Sequence, residues 1–439
     1  MEGLTSEFRY FSELYHWKMP ETLCIESTNR CNLKCNHCHQ SHFRMLYGDF
    51  DLRMFFDLIG ELDQSTSISL SSMGEPLTAE NFPVMYDYLN SRGFSIAFCT
   101  NGVLLDKYIE KFVGNPLGIT ISIDGACEET FRKIRGFSIE KLTGNIQKLN
   151  SLKRSEKTDK PILNFTTILS KENIEDLPVL IELASNLEIK TVVAYHRMFY
   201  DKSNFEKKSL FFQKKLSDRM HLEAIKIAKN SGIEFLHTPL FQESMIPLAE
   251  QKLLDNYIDY EKSFCKWIDN TCIVGWHGTV FACCYFDKLF MGNLKYNSFN
   301  DVWNGPFYRN LRLKHLRRTP PPVCKERCIA MQSIDTSKEE AFNFQIDADS
   351  LKKEELMGPL PYSFSSANTT YKKAVVLYKN GNNERVLDVL ADLQKIEKNF
   401  FEVFHLTGLA YSCLGNKEKS LVNFSEAKKI YPLYEELIG

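Results

Sequence analysis

Cys31, Cys35 and Cys38 stand in the run Cys31-Asn32-Leu33-Lys34-Cys35-Asn36-His37-Cys38, a C-x3-C-x2-C spacing. Iron–sulfur cubanes are held by cysteine thiolates, usually four to a cluster. Three thiolates in so short a run can hold three irons and leave the fourth open to a group that is not protein. Through that iron the cluster can pass one electron to its bound group, and the hard chemistry is then the cofactor's. Zinc is the competing reading. It favours paired cysteines completed by further Cys or His, and His37 and His39 lie close by.

A second set of thiols follows far downstream. Cys265, Gly278 and Cys283 read C-x12-G-x4-C, and Cys324 and Cys328 come after a long gap. Trp267, the apolar pair Ile273 and Val274, and a turn at His277-Gly278 lie between the first two cysteines. That pattern predicts a β-hairpin with one cysteine on each strand. A zinc ribbon on Cys265, Cys283, Cys324 and Cys328 is again the competing reading.

The elements that must position these groups can be read from periodicity. Candidate strands are Thr22–Ser27, Ser67–Ser71, Ser95–Thr100, Ile119–Ile123, Leu163–Leu169 and Thr191–Tyr195, rich in Ile, Val, Phe and Thr. Helical patterns fall between them at Asp51–Asp63, Phe82–Ser91, Glu129–Lys133 with Ile139–Leu152, and Ile174–Leu187. Strand–helix alternation implies a parallel sheet covered by helices. Six such units fall short of a closed eight-unit barrel, so an open or partial one is expected. Ligands of parallel α/β sheets sit at the carboxyl ends of the strands. The cysteine triplet follows the first strand directly, at that end. Ser72-Met73-Gly74-Glu75-Pro76 follows the second strand and Thr100-Asn101-Gly102 the third, and the fourth runs into Ser122-Ile123-Asp124-Gly125. One such turn is ordinary loop punctuation; three at successive strand ends, beside a cysteine triplet, are not.

This order of motifs, with Ile134-Arg135-Gly136 shortly after, resembles the radical S-adenosylmethionine enzymes over residues 20–240. The resemblance implies a partial (β/α)6 TIM-like barrel with a [4Fe–4S] cluster on Cys31, Cys35 and Cys38. It implies S-adenosylmethionine on the open iron, with Met73, Gly74 and Glu75 taking its amino group largely through backbone carbonyls. Ser122 and Arg135 are the implied carboxylate contacts, Asp124 a ribose contact, His37 a neighbour of the adenine, and Asn101 part of the same cofactor site. The usual Gly-Gly-Glu-Pro is here Met73-Gly74-Glu75-Pro76, a departure at its first position. The downstream cysteines resemble SPASM or twitch extensions, which hold auxiliary clusters. Their longer cysteine tail shrinks here to Cys324 and Cys328, which implies one auxiliary [4Fe–4S] cluster on Cys265, Cys283, Cys324 and Cys328, with Cys272 and Cys284 as rival ligands. Such a cluster could relay an electron or take one from a substrate radical.

The resemblance implies hydrogen abstraction from a peptide, a protein or a small sugar-like substrate. A flavodoxin- or ferredoxin-type reductant would supply the electron. Tyr195, His196 and Arg197, at the end of the sixth strand, are placed to line the substrate pocket. A non-catalytic iron–sulfur protein for electron transfer or docking is the alternative, but it leaves the Gly74-Glu75-Pro76 and Ser122–Asp124 motifs without a role. Cys99, Cys127, Cys272 and Cys284 are spare thiols, more readily explained as small buried hydrophobes; Cys24 and Cys413 read as core.

Bulk composition bounds the partners. A chain of 439 residues exceeds one ordinary core. The expected division is an N-terminal helix over 1–19, the barrel over 20–240, a small α+β auxiliary-cluster domain over 241–344, a linker over 345–366 and helical repeats over 367–439. A net charge of −2 carries no field that would mark a nucleic-acid or anionic-membrane partner. No apolar run is long enough to span a bilayer. The N-terminal residues carry neither the basic start nor the apolar core of a signal peptide. Thirteen cysteines without an export signal argue for metal or redox use and a cytoplasmic setting. In the last region Phe404, Gly408, Tyr411, Gly415, Ser420, Phe424, Ala427 and Pro432 follow the 34-residue tetratricopeptide pattern. Two α-helical repeat hairpins are expected there, offering a surface for a protein partner.

Overall fold

The computed structural model describes residues 18–38, 40, 47–199, 202–238, 240–241, 265–283, 289–316, 370–371, 373–374, 376–396 and 401–430. Seven strands come first: β1 (Thr22–Ile25), β2 (Ser67–Ser69), β3 (Ile96–Thr100), β4 (Leu117–Ser122), β5 (Ile162–Leu169), β6 (Thr191–His196) and β7 (Glu234–His237). They pair in chain order and every pairing is parallel. Helices Leu52–Gly60, Phe82–Ser91, Ile139–Ser155, Leu177–Asn186 and Lys214–Ser231 make crossovers between them. The result is the expected α/β fold with a partial, barrel-like parallel sheet. It carries a seventh parallel strand that the sequence pattern did not reveal.

Strand alternation sorts the two faces of this sheet. In β5 the residues Leu163, Phe165, Thr167 and Leu169 are buried, and Ile162, Asn164, Thr166 and Ile168 alternate with them on the other face. The buried face packs on the helices. There Phe82 stands edge-on to Phe98 at 5.3 Å, and Phe98 lies 5.3 Å from Phe112. Fully burying each such side chain contributes about 1.5–3 kcal/mol. Helix starts and stops are locally encoded. Asp51 caps Leu52–Gly60 by accepting from the Met54 N–H at 2.9 Å. Gly136 ends Glu128–Arg135 with φ 72°, a conformation glycine adopts without a Cβ penalty.

The sheet does not stop at β1. The strand β8 (Thr271–Val274) pairs in parallel with it, Thr22 opposite Thr271 through Ile25 opposite Val274. The antiparallel strands β9 (Thr279–Phe281) and β10 (Phe290–Asn293) complete a ten-stranded sheet in the order β10-β9-β8-β1-β2-β3-β4-β5-β6-β7. The hairpin expected around Gly278 is thus present, but its cysteines are not on the strands. Cys265 precedes a short helix, Lys266–Asn270, that feeds β8, and Cys283 lies two residues beyond β9. A helical turn over residues 266–270 inserts before the strand, the Ile268 N–H donating to the Cys265 carbonyl at 3.2 Å.

Helices Asn383–Ile396, Phe401–Cys413 and Lys417–Ile430 form the C-terminal arm. Gln394 ties them together, donating to Thr407 Oγ1 at 3.1 Å and Asn423 Oδ1 at 2.9 Å. Cys413, expected in the core, is exposed at a helix end, and Cys24 is only half-buried because it sits on the inner face of β1. The expected N-terminal helix, apart from residues 18–19, and the linker over 345–366 lie outside the described residues. Among the described residues no helix is long and apolar enough to cross a membrane.

Candidate active site

The cysteine triplet occupies the loop leaving the carboxyl end of β1. None of the three is in a disulfide; Cys38 acts electrostatically on Cys31, and both Cys38 and Cys31 act on Cys35. Burial pushes the Cys35 thiol up to about 11 and raises Cys38 as well. The nearby Arg135 guanidinium works against that rise. Metal ligation requires the thiolate, so a bound cation must displace these protons.

The loop after β2 is laced to the strand-end segment that precedes the triplet. The Glu75 N–H donates to the Arg30 carbonyl at 2.8 Å. At Gly74 a Cβ would overlap the backbone carbonyls of Thr28 and Arg30. Only glycine lets these two strand-end loops touch through bare backbone. Met73 is held from both sides: its N–H donates to Glu26 Oε1 at 3.2 Å, and its carbonyl accepts from Gln40 Nε2 at 2.6 Å.

Glu75 turns its carboxylate into the protein. It accepts from Thr100 Oγ1 at 2.7 Å, the Asn101 N–H at 2.6 Å and the Leu77 N–H at 3.2 Å. Burial outweighs these bonds and lifts its pKa to about 7. Its side chain therefore shapes the turn after β3. Asn101, so positioned, donates to Asn32 Oδ1 at 2.7 Å and reaches Cys31 Sγ at 3.8 Å.

Asp124 and Arg135 meet each other. Arg135 Nε and Nη2 lie 2.7 and 2.6 Å from Asp124 Oδ2. Burial would raise the Asp124 pKa, but the guanidinium, with lesser help from His37 and the Ile168 N–H, holds it below the usual carboxylate range. His37 Nε2 lies 3.4 Å from the same carboxylate oxygen, yet burial lowers its pKa to about 4, so the imidazole is neutral at pH 7. Ser122 Oγ lies 3.2 Å from Cys99 Sγ on the inner face. The structure thus brings His37, Asp124 and Arg135 into one cluster and pairs Ser122 with Cys99.

Two of the three side chains expected to line a substrate pocket are engaged elsewhere. Tyr195 is 39% exposed on the inner face. His196 packs against His221 and Phe241 at 5.6 and 5.0 Å. Arg197 turns back to the cysteine loop, donating to the Asn36 carbonyl at 2.9 Å. Glu26 was not anticipated from sequence at all. Its only signal is an acidic residue ending an apolar strand, and its carboxylate is buried between Met73 and the Trp276 N–H at 3.1 Å.

The second cysteine set falls at the other end of the sheet. The parallel pairing of β1 with β8 places the start of β8, and hence the Cys265 helix and Cys283 beyond β9, beside the first residue of β1. Cys31 leaves the last residues of that strand. Cys265 and Cys283 therefore lie toward the opposite end of β1 from the triplet. Cys272 is wholly buried on β8, accepts the Tyr308 O–H at 3.3 Å, and is pushed by burial up to about 12. Cys284, Cys324 and Cys328 lie outside the described residues.

Both regions match known family models. Residues 25–184 match the Radical SAM superfamily model, and residues 265–329 match the SPASM iron–sulfur cluster-binding domain. The cofactor-modifying protein of the tungsten-containing aldehyde ferredoxin oxidoreductase of Pyrococcus furiosus is 23% identical over 310 residues, covering 65% of this chain and 81% of that protein. Fe-coproporphyrin III synthase of Methanosarcina barkeri is 25% identical over 308 residues, covering 63% and 71%. The crystal structure of Streptococcus suis SuiB bound to S-adenosylmethionine superposes with a TM-score of 0.53 at 14% identity, covering 80% of this chain and 82% of that one.

The chain is an enzyme carrying a radical S-adenosylmethionine domain followed by a SPASM domain. Its cofactors are S-adenosylmethionine and a [4Fe–4S] cluster, with auxiliary iron–sulfur in the SPASM part. The described residues fit the first pair: three thiols outside any disulfide share one strand-end loop, and Gly74 lets the loop after β2 pack directly against its start.

Proposed function

We propose that this enzyme abstracts hydrogen from a peptide substrate laid along the inner face of the parallel sheet, with Cys31, Cys35 and Cys38 as cluster ligands. When bound, the cluster and S-adenosylmethionine supply a carbon radical able to take hydrogen from an unactivated C–H. The chain's own residues do the rest. Asn101 donates toward the Cys31 sulfur, and hydrogen bonds to ligand sulfurs are one of the levers that set cluster potential. Glu75 holds the Asn101 turn, and Gly74 keeps the backbone of 73–75 against the cysteine loop.

The observation that carries the substrate reading is the chemistry of the inner face. Register places Ser69, Cys99, Thr120, Ser122, Asn164 and Thr166 there. These six are uncharged and small or of modest size; the same register also carries Ile162, Ile168, Tyr195 and, at the amino end of β7, Glu234. Asn164 Oδ1 is buried without a hydrogen-bond partner, a cost of about 1–3 kcal/mol that an amide donor would relieve. Such a surface suits neutral main-chain amides better than a phosphate- or carboxylate-rich molecule, which needs fixed cations. A small sugar-like polyol is the second reading, since the same hydroxyls would hold it. SuiB has been crystallised with its precursor peptide SuiA, a mycofactocin maturase is 24% identical to this chain, and a peptide assignment is in keeping with both. A flavodoxin- or ferredoxin-type protein is the proposed electron source, and the helical arm is a proposed docking surface for a protein partner.

The test is anaerobic reconstitution with iron and sulfide, then reductant and S-adenosylmethionine. Release of 5′-deoxyadenosine by the native chain and its loss in Cys35→Ala are the expected results. Turnover that survives Cys35→Ala would refute the ligand assignment.

A further inference from the structure

Arg197 is the first residue beyond β6 and is only 6% exposed. Its Nη2 donates to the Asn36 carbonyl at 2.9 Å, and its Nη1 lies 3.5 Å from Asn36 Oδ1. Asn36 is the residue between Cys35 and His37, and its own N–H is spent on the Ile134 carbonyl at 2.9 Å. The same Nη1 donates to Glu172 Oε2 at 3.1 Å, in the loop after β5, and Lys208 Nζ approaches that oxygen at 3.1 Å. The guanidinium lies over the Phe199 ring at 5.1 Å from its centroid. A planar fork held by a carboxylate, a ring face and a loop carbonyl is a rigid brace. It also sets a buried positive charge beside the loop that carries two of the three thiols.

We propose that Arg197 and Glu172 form a positioning pair for the first cluster, Arg197 bracing the Cys35–Cys38 turn while the balance of the two charges sets the reduction potential. This rests on the reading that Cys31, Cys35 and Cys38 hold that cluster. Cluster potential responds to net charge and hydrogen bonding nearby, and charges act strongly where water is excluded. A cation beside the loop favours the reduced form, and the carboxylate facing it moderates that effect.

The experiment is a redox titration of the reconstituted full chain, following the electron paramagnetic resonance component that changes on adding S-adenosylmethionine. Arg197→Gln is expected to move the midpoint down and Glu172→Gln to move it up. Arg197→Lys keeps the charge and is expected to hold the native midpoint while losing iron to a chelator several-fold faster, because the fork is gone. Loop loosening alone would move both Gln variants in the same direction. That result, or no movement in either, overturns the proposal. Should Arg197→Gln fail to fold, the upward shift in Glu172→Gln and the iron loss in Arg197→Lys still decide it. Cys35→Ala separates the two levels: if the followed component survives there, the cluster assignment itself falls; if it vanishes and the Gln variants stay put, only the brace falls.

Discussion

Glu26 and Trp276 are joined by a partly buried hydrogen bond across 250 positions of sequence, the Trp276 N–H donating to Glu26 Oε2 at 3.1 Å. The other carboxylate oxygen accepts from the Met73 N–H. One side chain thus ties the backbone edge at Met73-Gly74 to the turn of the β8–β9 hairpin. The Trp276 ring lies against Gly48 so closely that a Cβ there would overlap it. Glu26→Ala would leave two partly buried N–H groups without acceptors, each costing about 1–2 kcal/mol, the lower part of the range for a fully buried group. Urea unfolding of the cluster-free protein is expected to show a loss of roughly 2–4 kcal/mol. Glu26→Gln, which keeps one carbonyl acceptor, should lose about half as much. A native midpoint in both variants would show that the hairpin is held by the ring contact alone.

Asp124→Asn tests the buried pair. It leaves Arg135 a charge in a site where the guanidinium is only 7% exposed, and breaking one partner of such a pair costs about 3–5 kcal/mol. Urea unfolding of the single variant should show that loss, and Asp124→Asn combined with Arg135→Met should recover part of it, since no unpaired charge then remains. If the double variant is the less stable of the two, the pair contributes more through packing than through charge.

Much of this site could be read in the sequence because its signals are local. The cysteine triplet, Gly74-Glu75 and Thr100-Asn101 each follow a strand whose apolar alternation marks it, and parallel sheets put those ends together. What stayed hidden is non-local. Nothing in the periodicity of Thr271–Val274 says that it will pair with Thr22–Ile25, so the pattern assigns the hairpin to a separate small domain. Glu234–His237 escaped because four residues with a charged first position make a weak strand pattern. Glu172 is an ordinary loop charge in sequence and Arg197 reads there as a pocket residue; their link to the cysteine loop depends on how the ends of β5 and β6 meet the loop after β1.

Glu75 gives the pH dependence a sign. Its folded pKa of about 7 lies above the ordinary 4.5 because burial disfavours the carboxylate. The folded cluster-free chain therefore binds that proton more tightly than the unfolded one. The stabilisation is fully present below pH 4.5 and is lost as pH rises through about 7. Its ceiling is about 3 kcal/mol, from the separation of the two pKa values. Glu75→Gln should flatten this contribution between pH 5 and 8 in urea titrations, because an amide has no proton to exchange. A native and a variant curve that stay parallel across that window would place the proton elsewhere.

Cys272 and Cys283 separate a packing thiol from a ligand. The Cys272 sulfur accepts from Tyr308 and is raised to about 12 by burial, so a metal would have to remove a tightly held proton and displace the Tyr308 contact. Cys283 is half-buried just past β9, on the side of the hairpin that the Cys265 helix enters. Cys283→Ala is expected to lower iron and sulfide per chain by the auxiliary complement while leaving the component that responds to S-adenosylmethionine intact. Cys272→Ala should keep the full iron content and show only a lower melting midpoint. Loss of iron in Cys272→Ala with retention in Cys283→Ala would reverse the assignment, and would mean that the strand thiol turns out of its pocket when iron binds.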